Sequence, residues 1–223
     1  MDNWRNNTIW FEQIPENLQA YLNLKEEKLN KIQLENIEYL TLWHHKKHKL
    51  GNFVDILDNL LYLELNWSNI QDFLGIEKLH HLKRLELNYC IKLQYDNGLF
   101  GLADTLEHLH IRQSKKFVPS EEFFSLKNLR VLNLHSCGNL ENLNFLSQFP
   151  DLLEFNFVDT NVLDGDLSPI INHPTIRSAY TLDKRHYNMK YDKLEALLNE
   201  KNGEEEFMTF ISLGKDRTYR YNY

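Results

Sequence analysis

The six residues Leu82-Lys83-Arg84-Leu85-Glu86-Leu87 set a frame that the rest of the chain repeats. Leucine holds places one, four and six, and polar side chains fill the others. Working outward, the frame occurs upstream as Ile37-Glu38-Tyr39-Leu40-Thr41-Leu42 and Leu60-Leu61-Tyr62-Leu63-Glu64-Leu65. Downstream it returns as Leu106-Glu107-His108-Leu109-His110-Ile111, Leu129-Arg130-Val131-Leu132-Asn133-Leu134 and Leu152-Leu153-Glu154-Phe155-Asn156-Phe157. A degenerate copy is Ile176-Arg177-Ser178-Ala179-Tyr180-Thr181. Successive copies start 23, 22, 24, 23, 23 and 24 residues apart. Chance does not keep such a pattern in step six times. Apolar residues at four and six alternate with polar ones at three, five and seven, which predicts a half-buried strand in each copy. The intervening segments carry apolar anchors such as Phe73, Ile76 and Leu79, or Phe123, Phe124 and Leu126. Their shortness predicts brief helical or 3₁₀ turns. No single copy can bury its own apolar face, so stacking must make one continuous core.

The frame L-x-x-L-x-L at this period resembles the leucine-rich repeat family over roughly residues 34–183. The resemblance implies an α/β solenoid of horseshoe form, with about seven repeats and a parallel sheet on its concave face. Residues 1–33 are out of frame and read as an N-terminal cap, with a strand near Thr8–Phe11 and a helix near Glu16–Leu24. Residues 184–223 read as a C-terminal cap. There a helix is expected over Asp192–Leu198, and a β-hairpin from Phe207–Leu213 and Thr218–Tyr223 about Gly214-Lys215-Asp216. The stretch Asp183–Lys190, with its Lys184-Arg185-His186-Tyr187, is similar to one that closes some short bacterial leucine-rich repeat proteins of immunity type. Its plainer reading is a basic loop tied to the acidic body.

Composition narrows the function. The 223 residues carry 25 Lys+Arg against 32 Asp+Glu, a formal charge of −7, which argues against a general nucleic-acid binder. Leucine (39) and asparagine (25) dominate, and the frame positions together with the anchors of the return segments account for most of the leucines. No apolar run is long enough to span a membrane, and the first 30 residues do not read as a signal peptide. The expected address is the cytoplasm. Cys90 and Cys137 occupy position nine of their copies, a slot also held by Ser68, Ser114 and Thr160. The resemblance to leucine-rich repeats implies that this slot points inward, so both cysteines read as structural. Two repeats apart, their Cα atoms should lie about 10 Å from each other, too far for a disulfide.

The residues expected on the concave face give the candidate partner-binding surface: Tyr39, Trp43, Tyr62, Glu64, Trp67, Arg84, Glu86, Tyr89, His108, His110, Arg112 and His135. Tyr and Trp are common interface anchors. Alternatively, position eight turns inward and the tryptophans are partly core. Glu64 beside Glu86 puts like charges on adjacent strands, which is unfavourable unless something offsets it. A cationic partner group or His110 could do so; alternatively, both carboxylates are solvated and splay apart. His108, His110 and His135 are near enough for zinc to be considered, but no carboxylate or cysteine completes the set, and no metal is assigned. The run Trp43–Lys49 is basic but isolated, and reads as a solvated loop; phosphate binding would need several such patches along one face. No phosphate-binding loop, H-E-x-x-H pair, nucleophile elbow or C-x-x-C is present, so neither catalysis nor a cofactor is expected. The expected function is a monomeric, non-catalytic module that holds one protein partner, and the −7 charge and the acidic pair suit a basic one. The alternative is an immunity-type protein that occludes a cognate toxin.

Overall fold

The computed structural model describes residues 14–28, 34–203, 212–213 and 216–217. Among the described residues eight strands form one parallel sheet in simple sequential order. They are β1 (Gln19–Asn23), β2 (Tyr39–Trp43), β3 (Tyr62–Asn66), β4 (Arg84–Asn88), β5 (His108–Arg112), β6 (Val131–His135), β7 (Glu154–Asn156) and β8 (Ser178–Tyr180). Strands β2 to β8 fall on the seven copies of the frame. Their register keeps like positions opposite each other, as in Leu63↔Leu85, Leu85↔Leu109 and Leu109↔Leu132. Every position-one, -four and -six side chain of the six strong copies is buried.

The return segments are short. Single 3₁₀ turns occupy Asn52–Ile56, Ile76–Lys78, Leu99–Leu102, Phe123–Ser125 and Asn144–Gln148. The next return segment holds the short helix α1 (Ser168–Asn172). Phenylalanines from these turns interlock behind the sheet: Phe123 meets Phe149 edge to face, with ring centroids 5.7 Å apart. Buried Asp96 joins neighbouring turns by accepting from Ser120 N (2.9 Å), Ser120 Oγ (2.7 Å) and Phe123 N (2.9 Å). One core cluster runs from Leu22 to Leu198.

The inward slot is as expected, and it has one further occupant. Cys90, Cys137, Ser68, Ser114 and Thr160 are all buried. Both cysteines are free thiols, and burial pushes each up to about 12. Thr160 Oγ1 donates to Leu134 O (2.6 Å) and accepts from Cys137 N (3.0 Å). In the first copy the same place is filled by His45, whose Nε2 lies 2.8 Å from Lys49 O.

The ends differ from expectation at one point. The helix expected near Glu16–Leu24 is instead a 3₁₀ turn, Glu16–Leu18, followed by β1. β1 pairs with β2 from Gln19↔Tyr39 to Asn23↔Trp43. It obeys the frame with Ala20 and Leu22 at positions four and six, but Asn17 and Ala20 replace leucine and hide the pattern. The strand expected near Thr8–Phe11 lies outside the described residues. At the other end, the expected helix is longer, α2 (Tyr191–Asn202). Asp183 Oδ1 accepts from Tyr191 N (2.7 Å) and so satisfies a free helix N–H. The Asp183–Lys190 stretch is a clasp: Lys184 Nζ donates to Asn161 Oδ1 (3.1 Å), and Asn188 Oδ1 accepts from Leu167 N (3.0 Å). Gly165 is needed beneath it, since at φ +69° any Cβ would strike the His186 carbonyl. Farther on, β9 (Ser212–Leu213) pairs antiparallel with β10 (Asp216–Arg217), and the rest of the expected hairpin lies outside the described residues.

Candidate functional site

The odd strand positions do face away from the core, but they are not equally open. At position three Tyr39, Tyr62 and His108 are buried, and Arg84 is half-buried. Tyr39 and Tyr62 join Ile14 and Leu61 in a small second cluster, with Leu18 packed against it. At position five Glu64, Glu86 and His110 are half-buried, and at position seven so are Trp43 and His135. Arg112 is exposed. The open part of the surface therefore lies toward the C-terminal ends of the strands.

Position eight explains this gradient. Six successive copies place a non-glycine residue there in the left-handed backbone region: His44, Trp67, Tyr89, Gln113, Ser136 and Asp159, with φ between 52° and 61°. The ladder continues through it, with Trp67 N donating to Asn88 O (2.8 Å) and Tyr89 N to Arg112 O (2.9 Å). For a residue with a Cβ this conformation costs about 1–2 kcal/mol. Glycine would avoid the cost, yet the second and third copies carry Trp67 and Tyr89. Their rings stack in parallel, 4.5 Å between centroids and 3° between planes, and Trp67 is 49% exposed. The Arg112 guanidinium sits over Tyr89, 6.0 Å from the ring centroid. Position eight thus turns to the edge of the sheet, and Trp67 is not a core residue. Nothing in the sequence marks a left-handed tryptophan, so this geometry was not legible beforehand. Two residues beyond Tyr89, Ile91 is 60% exposed, and its place in the frame gives no sign of that exposure.

The Glu64–Glu86 juxtaposition is real, since the two residues are register partners. Both are supplied from within. Glu64 accepts from Thr41 Oγ1 (3.0 Å) and Asn88 Nδ2 (3.1 Å), and Glu86 accepts from Arg84 Nε (2.6 Å). Burial, then the neighbouring Glu86, raise the Glu64 carboxyl above its usual range. These contacts offset the repulsion, so their charge gives no reason to require a cationic partner. His110 is the register partner of Glu86, and burial lowers it to about 4. His110 and His135 meet edge to face at 4.9 Å. Burial also lowers His108 and His135, so these rings are neutral at pH 7. Among the described residues no group of three or more His, Cys, Asp or Glu is placed to hold a metal ion. None of their helices is long and apolar enough to cross a membrane.

No family model matches the chain. It is 28% identical over 114 residues to a protein named as a disease resistance protein in Arabidopsis thaliana. The match takes in 49% of this chain and 10% of that protein, so the chain spans about a tenth of that protein's length. The crystal structure of internalin C2 from Listeria monocytogenes aligns over 69% of this chain and 84% of that one, with 17% identity and a TM-score of 0.42. Seven in-frame copies of L-x-x-L-x-L, each giving one strand to a single in-register parallel sheet over a shared core, give this chain the fold of a leucine-rich repeat solenoid.

Proposed function

We propose that the chain is a non-catalytic protein-binding module that holds one partner on the open face of its sheet, seated mainly over β2–β5. The observation that supports this is the Trp67–Tyr89 stack. Two bulky rings are held at backbone positions that glycine would occupy with less strain, and one is half in water. Strained backbone persists where the surroundings fix it and is common at binding sites. Trp, Tyr and Arg are also the side chains that dominate protein interfaces, and all three meet here. Trp43 extends the aromatic row, with its ring 6.2 Å from that of Tyr21. On this reading Glu64, Arg84, Glu86, His110 and His135 form the polar floor under the partner. Tyr39, Tyr62 and His108, in the row two residues earlier on the same face, flank that floor.

The test is capture from a lysate of the source organism, with bound proteins identified by mass spectrometry. Wild-type protein and the Trp67→Ala/Tyr89→Ala variant are compared at equal loading. The variant should lose its specific partner on the order of tenfold, as expected for interface hot spots, while its circular dichroism spectrum is unchanged. Undiminished capture by a folded variant rejects the proposal.

A further inference from the structure

The turns that follow β2 to β5 lie side by side along one edge of the sheet, because the strands are in register. Positions seven to twelve of these four copies are residues 43–48, 66–71, 88–93 and 112–117. They hold six of the 25 Lys+Arg and none of the 32 Asp+Glu, so 19 cations face 32 acids elsewhere, a balance of −13. The six are Lys46, Lys47, Lys92, Arg112, Lys115 and Lys116. All are exposed except Lys92, which is half-buried. The described ion pairs, Lys78–Asp55, Lys83–Glu107 and Arg84–Glu86, involve none of them. Between the two basic ends stand Trp67, Tyr89 and Ile91. An exposed apolar centre inside a charged rim is the anatomy of a protein interface.

We infer that this edge is a docking strip for a short acidic segment of the partner protein. The inference rests on the protein-binding reading above and adds the chemistry of what is bound. Three strand spacings span about 14 Å, which an extended segment crosses in four or five residues. Its carboxylates would meet Lys46 and Lys47 at one end and Arg112, Lys115 and Lys116 at the other. An apolar or flat side chain between them would cover Trp67 and Ile91. Single-stranded nucleic acid also combines cations with stacked rings. The strip suits it less well, because Trp67 and Tyr89 already stack on each other and Arg112 covers Tyr89. The strip is also short. The matching turns after β6 and β7, residues 135–140 and 158–163, hold no Lys or Arg and include Asp159. A longer polyphosphate would run from the strip onto acidic surface.

Fluorescence anisotropy on the purified full chain tests this with four labelled probes. They are an acidic hexapeptide with a central Phe, its lysine counterpart, a neutral hexapeptide and a short oligothymidylate. The acidic peptide should bind on the order of tenfold tighter than the other three. Its affinity should fall by a similar factor between about 20 and about 300 mM salt. Lys46→Glu/Lys47→Glu/Lys115→Glu/Lys116→Glu should lose that binding, and the milder Lys→Gln set should lose part of it. Lys127→Glu, an exposed site on another edge, should leave it intact. Tighter binding of the oligothymidylate, equal binding of all peptides, or indifference to charge reversal would each overturn the inference. If the charge-reversed protein still captures the cellular partner while Trp67→Ala/Tyr89→Ala does not, the strip falls and the binding module stands.

Discussion

Trp67 and Tyr89 occupy left-handed backbone positions with φ 54° and 57°, each at a cost of about 1–2 kcal/mol relative to glycine. Their parallel stack returns about 0.5–1.5 kcal/mol. At Trp67 taken alone the strain and the stack are of the same order, which makes the site a direct probe of whether its side chain serves stability or binding. Trp67→Gly relieves the strain, gives up the stack and adds freedom to the unfolded chain, worth about 0.5–1 kcal/mol. The predicted net change in unfolding free energy is within about 1 kcal/mol of zero, measured by urea denaturation, while partner capture is lost. A fall of about 3 kcal/mol or more would mean that Trp67 is a structural residue after all, in line with large core truncations.

Strands β2 to β7 were legible because their core-facing positions are large and apolar and the period is strict, so burial alone dictates their register; for β8, whose positions are Ile176, Ala179 and Thr181, the period carried the reading. β1 was not, because Asn17 and Ala20 stand where the frame calls for leucine, and pairing with β2 sets its conformation instead. The candidate surface was legible in direction but not in depth. Alternation says which face a side chain takes, and neighbouring strands and cap residues then decide how much water reaches it. Glu154, at position three of β7, illustrates the consequence: it is 4% exposed, and burial raises its carboxyl to about 7 despite a hydrogen bond from Asn156. Between pH 4.5 and about 7 the folded state keeps this proton and the unfolded state releases it. Its contribution to stability is therefore greatest below that window, falls as pH rises through it, and stays lowest above it. Glutamine cannot ionise, so Glu154→Gln should match wild type near the bottom of the window and be more stable above it, by up to about 3 kcal/mol. His45, His108 and His173, which are buried, and His110 and His135, which are half-buried, are all shifted down and act in the opposite sense. They are common to both proteins, so the pH dependence of the difference isolates Glu154. A gap that does not change with pH, measured by urea denaturation, would sink this account.

At the scale of the molecule, each repeat touches only its neighbours, so stability is close to a sum along the array and the ends govern what lies next to them. The C-terminal end is closed by α2, which buries Leu194 and Leu198 in the shared core and packs on β8 and α1. Asp183 and the Lys184–Asn188 clasp tie its entry to the preceding copy. The proposed binding surface sits over β2–β5, several repeats away. Damage to this cap should therefore stay local before it reaches the binding face. Leu194→Ala should cost about 2–5 kcal/mol in the closing segment, the range for a fully buried leucine. Native-state hydrogen exchange is the appropriate readout, because it resolves opening energies along the chain. Amides of β7 and β8 should lose protection in Leu194→Ala while those of β3 and β4 keep theirs, and the anisotropy of the acidic peptide should be unchanged. Uniform loss of protection from β1 to β8 would instead make the array a single cooperative unit, in which the cap sets the stability of the binding face as directly as the leucines beneath it.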